Sequence, residues 1–149
     1  MEKKENNQEF VLELAAEIEN FDQVTAFVEE RLEALGCMGK TAMQIQMAVE
    51  EVFVNIASYA YYPGKGNTKI SIWGTSAPDM VWLRFADGGL PFDPLEKPDP
   101  DISQKAEQRE IGGLGIFMVK EFMYSVSYTY ENQENTLTIG KKYERQEQI

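Results

Sequence analysis

Histidine is absent from the 149 residues. That removes Ser-His-Asp and Cys-His nucleophilic catalysis, His-ligated zinc and a phosphoacceptor histidine from this chain. Cysteine is nearly absent: Cys37 stands alone, so neither an internal disulfide nor an all-cysteine zinc site can form. A reduced, cytoplasmic setting suits such a chain. Basic residues are sparse. Fourteen Lys and Arg against 25 Asp and Glu leave a net charge of −11, which argues against nucleic-acid binding, where Lys and Arg neutralise phosphates. An anionic nucleotide stays open, because backbone amides and a metal ion can hold it. No apolar run approaches the roughly 20 residues of a membrane span. The polar start, Met1-Glu2-Lys3-Lys4-Glu5-Asn6-Asn7, lacks the apolar stretch of a secretory signal. The length predicts one domain over residues 1–149, with 1–7 frayed.

What is present is strong periodicity. Phe10, Leu12 and Leu14 share one face of an expected strand. Asn20 with Gln23 three residues on resembles a capping box opening a helix, and Gly36 is its expected stop. A long second helix begins within Met38–Thr41 and ends near Tyr61, with Ile45, Val49, Val52, Phe53, Ile56 and Ala60 as its apolar stripe. Strands are expected over Thr68–Trp73 and Met80–Ala86, joined by a hairpin turn at Ala77-Pro78-Asp79. Four of the six prolines then crowd into residues 91–100. This marks a long connection, of the kind that serves as a lid or binding loop, with a short helix within Ile102–Arg109. A helix over Ile116–Met123 follows Gly112-Gly113-Leu114-Gly115. Strands Ser125–Tyr130 and Thr136–Tyr143 flank an Asn132–Asn135 turn. The pattern predicts an α+β two-layer sandwich: a mixed, mostly antiparallel sheet with helices packed on one face.

Three local signals carry chemistry. Glu51 and Asn55 lie four apart on the long helix, about 40° from each other around its axis, so a carboxylate and an amide share one flank beside the apolar stripe. Such a pair suits a metal ion or a reacting hydroxyl; it also suits a plain solvated face, as Glu50 does. Asp87 ends a strand ahead of Gly88-Gly89, where it can accept a hydrogen bond from a ligand's amino group or cap its own turn. Gly113-Leu114-Gly115 opens a helix with bare amides at the favourable dipole end, a phosphate cradle or a hinge. The dinucleotide fingerprint and the Walker loop are both missing.

The order of these signals resembles the Bergerat-fold, or histidine-kinase-like, ATPases: Glu-x-x-x-Asn on a helix, Asp-x-Gly at a strand end, a lid, then Gly-x-Gly at a helix start. Ala48-Val49-Glu50-Glu51-Val52-Phe53-Val54-Asn55, Asp87-Gly88-Gly89-Leu90-Pro91-Phe92-Asp93-Pro94 and Gly112-Gly113-Leu114-Gly115-Ile116-Phe117-Met118-Val119 are similar to the anti-sigma-factor serine/threonine kinases of the RsbW and SpoIIAB type. The resemblance implies that Asn55 coordinates Mg²⁺ beside ATP and that Glu51 is the general base. It implies that Asp87 receives the adenine amino group with Gly89 giving access. Gly113, Leu114 and Gly115 would meet the phosphates, and Thr136 would join the adenine end. Leu95–Ile111 becomes an ATP lid, and Arg109 near its end is left with an open role. Tyr59 departs from the histidine many relatives carry there. As partners the resemblance implies a sigma factor and an anti-anti-sigma (STAS-type) protein phosphorylated on Ser or Thr, with no nucleic acid and no membrane, and it allows a homodimer. The alternatives are a non-catalytic ATP-binding partner-switching module, and a kinase of a pathway without a sigma factor.

Overall fold

A computed structural model describes residues 8–96 and 113–145. The frayed stretch expected over 1–7, nearly all of the expected lid, its short helix and Arg109 lie outside those residues.

The expected strand forms as β1, Phe10–Ala15. Helix α1, Phe21–Leu35, starts at Asn20, but not through the expected capping box. The Asn20 amide instead donates to the Ala15 carbonyl at 2.9 Å, tying the helix entry back to β1. Gly36 ends the helix in the left-handed conformation at φ 77°, and the Cys37 N–H reaches back to the Leu32 carbonyl. These are the bonds that satisfy orphan carbonyls at a helix end.

Helix α2, Gly39–Asn55, passes into a π-helical turn, Ile56–Ala60. The expected single helix to Tyr61 is thus interrupted just past Asn55, and such π turns recur at functional sites. Ile45, Val49, Val52, Phe53 and Ile56 are all buried, as their stripe requires.

Strands β2, Asn67–Thr75, and β3, Met80–Asp87, form the expected hairpin. Helix α3 runs Gly113–Phe122. The last hairpin joins β4, Ser125–Glu131, to β5, Glu134–Lys142. Its turn is the two residues Asn132 and Gln133, both at positive φ, 54° and 62°, the backbone that matches the twist of paired strands. Asn135 therefore belongs to β5, not to the turn.

The sheet order is β1-β2-β3-β5-β4, and all four pairings are antiparallel. Val24, Val28 and Leu32 of α1 and the α2 stripe pack with Ile70, Ile72, Leu83, Phe85, Leu137 and Ile139 in one hydrophobic core. That places helices and core on one face of the sheet. On the other face Trp82 lies over Gly140, where a Cβ would come within 2.6 Å of the indole. Among the described residues, no helix is long and apolar enough to cross a membrane.

Candidate functional site

A cavity of about 260 Å³ opens between the end of α2, the π turn and the ends of β3, β4 and β5. Val52, Ile56, Phe85, Ile116 and Leu137 make it largely apolar, and Asn55, Asp87, Tyr128 and Asn135 supply polar groups. Flat apolar walls with a few convergent polar atoms are what a planar aromatic ligand needs.

Asp87, the last residue of β3, is buried at the cavity. Its Oδ1 accepts from the Gly89 N–H at 2.9 Å and from Asn135 Nδ2 at 3.0 Å. Among the described residues no donor meets Oδ2. One carboxylate oxygen thus closes the turn, and the other is left as an acceptor. Gly89 is also required by the fold itself. A Cβ there would lie 2.1 Å from the Ala60 carbonyl oxygen, and the Leu90 N–H donates to that same carbonyl at 3.0 Å. Glycine lets the loop lock onto the π turn. Tyr61 adds a second tie, accepting from the Gly88 N–H at 2.8 Å and donating to the Asn67 carbonyl.

Glu51 and Asn55 meet as their spacing predicts: Asn55 Nδ2 donates to Glu51 Oε1 at 3.1 Å. Asn55 lines the cavity. Glu51 lines a neighbouring groove between α2 and α3, with Glu50 and Gly115. Burial pushes the Glu51 carboxyl above the usual glutamate range; the Asn55 amide pulls it down, and the charge of Glu50 adds to the rise. Gly115 abuts this carboxylate. A Cβ on Gly115 would fall 2.0 Å from Glu51 Cδ and 2.1 and 2.2 Å from its two oxygens. The Gly-x-Gly turn is therefore needed, at its second glycine, to seat a carboxylate from the facing helix. Gly113 and Leu114 lie in the first turn of α3.

The donor set fits Mg²⁺. Asn55 spends its Nδ2 on Glu51, and among the described residues its hard Oδ1 has no donor. No group of three or more acidic, His or Cys side chains capable of holding a metal occurs among the described residues. One or two protein oxygens completed by phosphate oxygens and water is the usual arrangement for that ion.

Thr136 does not join the others. Its register partners are Ala86 and Thr129, while its neighbours Asn135 and Leu137 line the cavity. Strand alternation turns Thr136 to the opposite face. Asn135, read from the sequence as a turn residue, takes the cavity position instead. Tyr59, exposed, stands at the cavity on the π turn.

The histidine kinase-like ATPase domain family matches residues 14–141. The serine/threonine-protein kinase BtrW of Bordetella bronchiseptica is 27% identical over 95 residues, 64% of this chain and 66% of that one. The serine-protein kinase RsbW of Listeria monocytogenes is 27% identical over 109 residues, 70% of this chain and 68% of that one. Among solved structures, the Acinetobacter baumannii histidine kinase AdeS aligns with a TM-score of 0.48 at 12% identity, over 90% of this chain and 68% of that one. The chain spans about two thirds of the length of the two curated relatives.

Proposed function

The chain belongs to the histidine kinase-like ATPase domain family, and from that premise we propose that it is an ATP-dependent serine/threonine protein kinase working as a partner-switching anti-sigma factor in the cytoplasm. In one state it holds a sigma factor. In the other it phosphorylates a small STAS-type anti-anti-sigma protein. The observation that carries the reading is the joining of two sites by one hydrogen bond. The Asp87 cavity is shaped for a base, and the half-buried Glu51 carboxylate lies beside it, bonded to Asn55. The names of the two kinases it resembles support the activity.

In this reading the adenine amino group donates to Asp87 Oδ2, and the ring lies between Ile56, Phe85 and Leu137. The triphosphate runs past Asn55 toward the first turn of α3, where the Gly113–Gly115 amides face it at the positive end of the helix dipole. Asn55 Oδ1 would hold Mg²⁺ together with phosphate oxygens, and the ion would supply charge neutralisation for the transferring group. Glu51 takes the proton of the acceptor Ser or Thr hydroxyl. The hydroxyl oxygen bonds to the γ-phosphorus as the bridge to the β-phosphate breaks, and ADP leaves with the bond's electron pair. Catalysis is mainly positioning and electrostatics.

Two experiments test this. Mg-ATP or Mg-ADP should raise the melting temperature, since a ligand that binds only the folded state adds about 2.7 kcal/mol at a hundredfold excess over Kd. Labelled ATP, the purified chain and a STAS-type acceptor should yield phosphoserine or phosphothreonine. Binding without transfer would favour the non-catalytic module, and no binding at millimolar nucleotide would end the ATPase reading.

Asp87→Asn gives a sharper check on the base. The Gly89 N–H and Asn135 Nδ2 both need an acceptor, so the new amide oxygen turns to them and its NH2 faces the cavity. A donor then meets the donor of adenine. Loss of one charge-assisted bond, about 1.5–3 kcal/mol, predicts ATP affinity about 10- to 100-fold weaker by calorimetry. Unchanged affinity would remove Asp87 from base recognition.

A further inference from the structure

One buried polar side chain at the cavity has no part in these steps. Asn135, 7% exposed, stands opposite Asp87 across the β3–β5 pairing. Its Nδ2 donates to Asp87 Oδ1 at 3.0 Å, to the Leu90 carbonyl at 3.0 Å and to the Gly89 carbonyl at 3.3 Å. Its Oδ1 accepts from the Phe92 N–H at 3.1 Å and from the Tyr128 hydroxyl. Three oxygens surround the nitrogen and two donors meet the oxygen, so only this orientation of the amide satisfies the network.

We propose that Asn135 is a positioning residue for base selection. It holds Asp87 with Oδ1 turned to β5 and Oδ2 turned to the cavity, and it anchors the Gly89–Phe92 wall of that cavity. The inference rests on the nucleotide reading of the site and adds a specificity determinant to it. Swinging the whole carboxylate away from β5 would strip partners from a buried amide and a backbone N–H, a costly loss away from water. Because Asn135 offers only N–H to Asp87, the carboxylate stays an acceptor on both oxygens. The atom presented to the cavity therefore matches the amino group of adenine and opposes the carbonyl oxygen of guanine at the same ring position. Sites that discriminate by an obligatory buried hydrogen bond reject the mismatched ligand most strongly.

The test compares ATP and GTP binding by calorimetry for the whole chain and two variants. Asn135→Leu keeps approximate size and removes every polar contact. Asn135→Asp keeps the shape and sets two carboxylates about 3 Å apart, where they share a proton, so that Asp87 can present an O–H to the cavity. The parent should favour ATP, and both variants should narrow the ATP-over-GTP ratio about tenfold or more. A purely structural Asn135 would weaken both nucleotides together and leave the ratio standing. Variants that melt cooperatively and keep the parent ratio overturn the proposal, and so does failure of both to fold. If the parent binds neither nucleotide, the reading of the cavity falls first. If the parent discriminates and the variants do too, only the role of Asn135 falls.

Discussion

Glu51→Gln is expected to cut phosphoryl transfer about 10²- to 10⁴-fold, the usual worth of a general base, while leaving ATP affinity within a few-fold of the parent. The amide keeps the shape and can still accept from Asn55 Nδ2 through Oε1, so the helix flank is undisturbed. Only the proton acceptor is lost. Burial and the Glu50 charge raise the carboxyl above its ordinary range against the pull of Asn55, which brings the base nearer to working pH. Transfer by the parent should therefore fall on the acid side at a pH above that of an ordinary glutamate. The stability effect has a definite sign. A carboxyl whose folded pKa is raised favours its protonated form in the fold, so its contribution is lost as pH rises from the unfolded to the folded value. Glu51→Gln should abolish that loss and leave the melting temperature at neutral pH unchanged or higher. Transfer at the parent rate would show that the base lies elsewhere.

Gly115→Ala is expected to lower transfer about 100-fold with nearly unchanged stability. The new methyl would enter the space of the Glu51 carboxylate, within 2.0–2.2 Å of its atoms. That carboxylate ends a flexible side chain, so it swings away and the helices stay packed. The move breaks its bond to Asn55 and misplaces the base, and a displacement of about 1 Å at a reacting group costs about 10²-fold. Because Asp87 and the apolar cavity are untouched, ATP should bind within a few-fold of the parent. The diagnostic readout is a carbon-13 titration of the Glu51 carboxyl: freed from the groove, it should titrate closer to an ordinary glutamate in Gly115→Ala than in the parent. An unchanged titration with normal transfer would show that α3 leaves the carboxylate unconstrained. Loss of nucleotide binding alone would instead show that the added methyl blocks the phosphates rather than displacing the base.

The local elements were legible because their causes are local. The α2 stripe, the alternation of β2 and β3, the Gly36 stop and the Asp87 turn each follow from the spacing of a few neighbouring residues. Their order along the chain is enough to indicate the family. Even locally, competition matters: Asn20 had a cap available in sequence, but its amide bonds to the Ala15 carbonyl, a partner brought near only by the docking of β1.

The partners across the site were decided by tertiary structure. Whether Thr136 or Asn135 faces the cavity depends on the two-residue turn at Asn132-Gln133 and on the Asp87↔Asn135 register. Side chains alternate along a strand, so one residue of difference exchanges the faces. A turn over Asn132–Asn135 and a strand starting at Thr136 miss the start of β5 by only two residues and still conceal Asn135. Gly115 and Glu51 are 64 positions apart in sequence by their numbers, and only the packing of α3 on α2 reveals that a carboxylate fills the space a Cβ would need. Periodicity reports which face of an element is apolar. It carries no information about which atoms of another element that face will meet, because register and helix packing are settled by the core as a whole.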